Sequence, residues 1–239
     1  MASNRNTEER ASVVENLDSH LTKAGQKVAN NKKIIYICVG VIACAAAFVL
    51  SYLFIYRNPR LQNSWEAYNK VLLMQQKDMT ANDSIIAEQY QNVATNFSGT
   101  PAANVAALAA AEYFYNEKKY DRAIKLIDGL GLSEPVLEAQ AKALLGDCYV
   151  NLEAGKEKGD SKGNYDKALA AYDKAIKIAD GNPELVPLYL IKKANVYSHL
   201  GQYDKSLACY EEIRDRYPRY NFGNGIDYYI EREKALAGK

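Results

Sequence analysis

The chain is poor in the residues that metal and nucleophilic chemistry draw on, with two histidines and four cysteines among 239 residues. No His/Cys group has metal-ligand spacing, and neither His20 nor His199 is placed as the base of a Ser or Cys nucleophile. Six prolines and 14 glycines are too few for a turn-rich sandwich. Net charge is missing too. Thirty Lys+Arg against 29 Asp+Glu leave +1, without the basic footprint of a protein that coats nucleic acid. Two short motifs that suggest nucleotide binding also fail. Gly155-Lys156 is followed by Glu157 where a phosphate loop needs Ser or Thr, and Gly223-Asn224-Gly225 follows no strand. The expectation is a non-enzymatic protein with no cofactor, no metal site, no small-molecule substrate and no nucleic-acid partner.

What is present is 48% apolar and 25% charged, which excludes a wholly disordered chain. The mean hydropathy of -0.35 hides one extreme segment. Ile34 to Tyr56 runs 23 residues without a charge. A bilayer core needs about 20 apolar residues as helix, so this segment is long enough to span. Tyr36, Tyr52 and Tyr56 sit near its ends, where amphipathic rings favour the interface, with Ile34 and Cys44 inside the anchor. A buried core helix of this length would carry a polar stripe. A cleaved signal peptide would have a shorter leader and a shorter apolar run. Cys44 resembles a lipoprotein processing cysteine, but apolar sequence continues after it. The flanking cations Lys23, Lys27, Lys32 and Lys33 against Arg57 and Arg60 place residues 1–33 in the cytoplasm and residues 57–239 outside it.

In the tail, Val14, Leu17, Leu21, Ala24 and Val28 alternate by three and four, and Ser12 to Glu15 has capping-box spacing. A short amphipathic helix fits, either docking a cytoplasmic partner or lipid surface, or fraying as a juxtamembrane tail. After the anchor, Asn58-Pro59 reads as a break and a new helix start, with Asn58 as cap.

Everything downstream recurs at helical spacing, and small and aromatic residues align into units. One has Ala111, Phe114, Tyr120, Ala123 and Pro135. A second has Leu145, Gly146, Tyr149, Tyr165, Ala168, Tyr172 and Ala175. A third has Ala194, Tyr197, Gly201, Tyr203, Ser206, Tyr210 and Pro218. The pattern resembles the tetratricopeptide repeat, in which small residues let paired helices approach and aromatics fill the space between. Ala123 and Ala168 are 45 residues apart, and Ala168 and Ser206 are 38 apart, against a repeat of about 34. The excess falls in a loop at 153–163 and another at 180–187. Trp65-Tyr68 with Ser84 to Phe97 resembles a degenerate first pair, and Ile226 to Leu236 a capping helix. The expected fold is all-α: one N-terminal transmembrane helix, then a tetratricopeptide α-solenoid over 57–239.

The repeat resemblance implies partner-binding residues on the first helix of each pair. These are Glu112, Tyr115 and Asn116, then Asp147 and Asn151, then Asn195, Ser198 and His199. None is cationic, and Lys192 and Lys193 fall one position off this stripe, so the clamp by which some relatives hold a chaperone's terminal carboxylate is absent. Cys148 and Cys209 come from different units and read as small apolar packing groups rather than a disulfide.

The order of parts, a short tail, one anchor and exported repeats, resembles the YfgM family, ancillary subunits of the Sec translocon in the bacterial inner membrane. The Asn96-Phe97-Ser98-Gly99-Thr100-Pro101 junction before an alanine-rich helix adds to the likeness. The resemblance implies association with SecYEG and with a PpiD-like periplasmic chaperone. The same parts also suit a scaffold for another envelope machine (secretion, motility or division), or a mitochondrial import receptor of opposite topology.

Overall fold

The computed structural model describes residues 32–77, 83–154, 163–220 and 225–239. The amphipathic tail pattern, the Gly155-Lys156 pair and Gly223-Asn224 lie outside the described residues. Every described element is helical, and the chain divides into two compact units between Pro59 and Arg60.

The first unit holds α1 (Lys32–Ser51) and a π-helical turn over Tyr52–Arg57. None of its apolar stretch is buried. Phe48 and Ile55 are each 77% exposed and Tyr36 72%. A core helix would have protein around these side chains, so that alternative is excluded. The helix is long and apolar enough to cross a membrane. Ile34 and Cys44 lie in α1, Tyr52 and Tyr56 in the π turn, where their rings stack 5.6 Å apart. The expected break at Asn58-Pro59 is absent. Asn58 is helical and its N–H bonds to the Leu53 carbonyl, five residues back, so it caps nothing. The physical reason is the proline. Its ring clashes with the carbonyl four residues earlier in a regular α-helix, and the preceding π turn widens the helix to accommodate it.

Nine further described helices follow, the first beginning two residues before the second unit: α2 (Asn58–Lys77), α3 (Asp83–Asn96), α4 (Pro101–Asn116), α5 (Tyr120–Ile127), α6 (Pro135–Ala154), α7 (Gly163–Ile178), α8 (Leu185–His199), α9 (Tyr203–Arg216) and α10 (Ile226–Ala237). From α3 on, each packs against the next in sequence, and α4 also touches α6. That is the arrangement of stacked helix pairs, with α4, α6 and α8 as first helices and α10 covering the last pair.

Local sequence explains the starts and stops. Thr100 caps α4: its Oγ1 accepts from the Ala103 N–H at 3.2 Å, and Pro101 occupies the first turn. Six alanines of α4 are buried, which lets its neighbours approach closely, and Phe114 at the end is wholly buried. Burying such a ring stabilises by roughly 1.5–3 kcal/mol. The turns after α4 and α8 are the same turn. Gln202 N–H reaches the Tyr197 carbonyl and Lys119 N–H the Phe114 carbonyl, each spanning a left-handed residue: Gly201 at φ 72° and Lys118 at φ 61°. Glycine suits that conformation and lysine does not.

Two loops are shorter than the sequence suggests. Glu153 belongs to α6, is buried, and accepts from the Asn164 N–H at 3.3 Å, so its carboxylate caps the start of α7. Pro187 lies in the first turn of α8, where it gives up no helical hydrogen bond. Cys148 and Cys209 are free and buried in separate clusters. Burial pushes their thiols up to about 12 and about 11.

Candidate functional site

The residues expected to bind a partner sit on three helices, and hydrogen bonds tie most of them together. On α6, Asp147 and Asn151 are one turn apart. The Asn151 amide donates to the Asp147 backbone carbonyl at 2.9 Å and to the Tyr115 hydroxyl of α4 at 3.2 Å. A carbonyl can only accept, so the polarity of this carboxamide is fixed and Oδ1 is its remaining acceptor. Burial raises the Tyr115 phenol, with the Asp147 charge adding to it, so the hydroxyl keeps its proton and can donate.

The second cluster lies where α6, α7 and α8 meet. Asp147, Val150, Ala154, Tyr165, Tyr172, Lys192, Asn195, Val196 and His199 line a cleft of about 350 Å³. Asp147 accepts from the Tyr172 hydroxyl at 2.8 Å and from Lys192 at 2.8 and 2.9 Å. The expectation that Lys192 stands off the groove is therefore corrected. It is one turn before Asn195 and two before His199, a spacing that puts all three on one face of α8. That stripe was readable in the sequence, whereas the small-residue offset points one position away. Its charge is matched by Asp147, so Lys192 is not a free cation for a terminal carboxylate.

Asn195 is exposed, and its Oδ1 accepts from the Tyr210 hydroxyl at 3.1 Å. With Oδ1 so engaged, the amide N–H₂ is the free end of Asn195. His199 packs on the Tyr165 ring at 5.2 Å. Ser198 turns the other way and donates to Glu233 of α10 at 3.2 Å, joining the capping helix rather than the cleft.

On α4, Asn116 is exposed. Glu112 is also exposed, yet the loss of water around it raises its carboxyl. A side chain open to solvent but flanked by protein on several sides is what a surface hollow produces. Across the three helices the open groups are thus an acceptor on Asn151, donors on Tyr115 and Asn195, one partly exposed Lys192–Asp147 pair, and His199. Among the described residues no cluster of His, Cys, Asp and Glu could hold a metal ion.

A tetratricopeptide repeat family model matches residues 159–182 and 189–218. These two segments are tetratricopeptide repeats. The first covers α7, the second helix of its pair, and the second covers the α8–α9 pair, from Tyr189 to Pro218. Comparison with curated proteins finds no match. Tetratricopeptide repeats are a protein-interaction fold, so the matched repeats imply protein partners.

Proposed function

We propose that the chain is a membrane-anchored tetratricopeptide repeat module that holds a stretch of extended polypeptide on the face made by its first helices. The observation that carries this is the orientation of two carboxamides, Asn151 and Asn195. Each has one end tied into the fold, leaving an acceptor on the first and a donor on the second. A peptide backbone offers one donor and one acceptor per residue. Groups of this kind read it without demanding a particular side chain, which suits a protein that handles many clients.

The exposed apolar side chains of α1 support a membrane anchor, and the lysines before it support a cytoplasmic N-terminus. The order of tail, anchor and repeats supports an accessory role at the Sec translocon. There the repeats would recruit a periplasmic chaperone or contact emerging chains. Tethering raises the local concentration of the groove, so weak intrinsic affinity suffices.

Crosslinking in intact membranes tests the setting: Sec subunits recovered with the full-length protein support it, and their absence removes it. Protease protection of residues 57–239 from the cytosolic side is the expected topology result.

A further inference from the structure

The cleft between α6, α7 and α8 has apolar walls and balanced charge. Val150 and Ala154 line it from α6, and Val196 from α8. Aromatic surface adds to these walls. Tyr165 and Tyr172 come from α7, and the His199 ring lies 5.2 Å from that of Tyr165 at 54°. The carboxylate and the ammonium of the cleft answer each other, since Lys192 donates to both oxygens of Asp147 at 2.8 and 2.9 Å. An acidic or basic side chain entering here would lose water without gaining an ion pair from either. The volume of about 350 Å³ is at the small end for ligand pockets and suits a single side chain. Residues 155–164, which join Ala154 to Tyr165, are Gly, Lys, Glu, Asp, Ser and Asn only, so that segment has no apolar side chain to offer the cleft.

We propose that this cleft receives one aromatic side chain of the bound polypeptide, and that the face thereby selects chains that have not yet folded. The proposal rests on the groove reading given above. A phenylalanine or tyrosine ring meets Tyr165 and His199 ring to ring, and such pairs gain beyond the area they bury. Val150 and Val196 cover more of its apolar surface. Asn195 lines the same cleft one turn before His199, and its free amide N–H₂ can donate to a backbone carbonyl of the same segment. A folded protein keeps most of its aromatic rings inside. Ring and backbone are therefore both on offer only in an unfolded chain. As the client folds, both are withdrawn and the complex comes apart without an energy source. Aromatic residues occur throughout proteins, so this anchor adds affinity without narrowing the range of clients.

The test uses the full-length protein in mild detergent and three fluorophore-labelled, end-blocked Gly-Ser-Asn peptides, identical except for a single Phe, Leu or Gln. Anisotropy gives the affinity of each. The Phe peptide is expected to bind about tenfold tighter than the Gln peptide, from the apolar area it buries, and about threefold tighter than the Leu peptide, from ring contact. Ala154 and His199 are both exposed, so changes there leave the core packing alone. Ala154→Phe sets a ring of the protein's own at the cleft and should bring the Phe-to-Gln ratio to about one. His199→Ala should remove the advantage of Phe over Leu. A small disulfide-bonded protein should displace the Phe peptide when reduced and alkylated, and not when native. Equal binding of the Phe and Gln peptides overturns the subsite while leaving the groove reading standing, and so does a preference that survives Ala154→Phe. Leu binding as tightly as Phe overturns the aromatic assignment, and displacement by the native protein overturns the selection of unfolded chains. If no peptide binds, the subsite and the groove reading both fail.

Discussion

The ring of Tyr172 lies against Gly146, across the α6–α7 interface. A Cβ at position 146 would stand 2.5 Å from Cε1 of that ring and 2.9 Å from Cζ. The ring has little freedom to retreat, since Tyr172 is 2% exposed and its hydroxyl is held by Asp147. Two effects oppose each other in Gly146→Ala. Alanine gains about 1 kcal/mol of helix propensity, and overpacking a tight core costs roughly 1–3 kcal/mol. With backing this rigid the steric cost should win, giving a net loss of about 1 kcal/mol or more by denaturant unfolding. Tyr172→Leu alone leaves a gap, but in the double variant it should recover part of the Gly146→Ala loss.

Lys118 occupies the left-handed position that Gly201 fills one pair along. Lys118→Gly should therefore stabilise the protein. The relief of a left-handed non-glycine residue, about 1–2 kcal/mol, exceeds the backbone entropy that glycine gives up. Gly201→Lys should destabilise by a similar amount, and thermal melts of the two variants should move in opposite directions.

The capping helix α10 docks a carboxylate as well as apolar side chains, with Ser198 of α8 donating to Glu233 at 3.2 Å. Glu233 has no exposed surface and pairs with Arg232, while its Oε2 has no hydrogen-bond partner. Arg232→Met leaves a buried carboxylate unpaired, a change that typically costs about 3–5 kcal/mol. The double variant Arg232→Met, Glu233→Met should recover most of this. Hydrogen exchange across residues 226–237 distinguishes local release of α10 from global unfolding.

Alkaline pH should unfold the repeats. Burial pushes the phenols of Tyr90, Tyr189 and Tyr210 up to about 12, and that of Tyr172 higher still. Each holds its proton more tightly folded than unfolded, so its contribution is intact below the ordinary value of 10.0 and is lost as pH rises from there through 12. Cys148 and Cys209 act the same way from 9.0 upward. Helical content followed by circular dichroism should fall over this window, together with late-titrating absorbance at 295 nm.

The helix pairs were legible because their signal is local and repeated. Tyr172 and Tyr210 recur at equivalent places, four residues after Ala168 and Ser206, and both are buried. Gly201 and Pro218 mark ends that α8 and α9 respect. The groove was partly legible. Helical periodicity placed Asp147 and Asn151 on one face, but it cannot show that Lys192, 45 residues on, comes to Asp147. Nor could it show that Ser198 turns to Glu233, since that depends on where α10 docks. The π turn escaped notice for the opposite reason. Asn58-Pro59 carries a strong local signal for a helix start, and a change of helix geometry answers the same steric demand without a break.

The central claim is that the first-helix face reads polypeptide backbone through Asn151 and Asn195. The most direct measurement compares an unstructured peptide with the same peptide N-methylated along its backbone, by anisotropy against the full-length protein. N-methylation removes the backbone donors that Asn151 would accept and keeps every side chain. The expected result is at least a tenfold loss of affinity, matched by Asn151→Ala on the unmethylated peptide, since each backbone hydrogen bond contributes about 1 kcal/mol and several are lost together. Equal affinity for the two peptides would contradict the account.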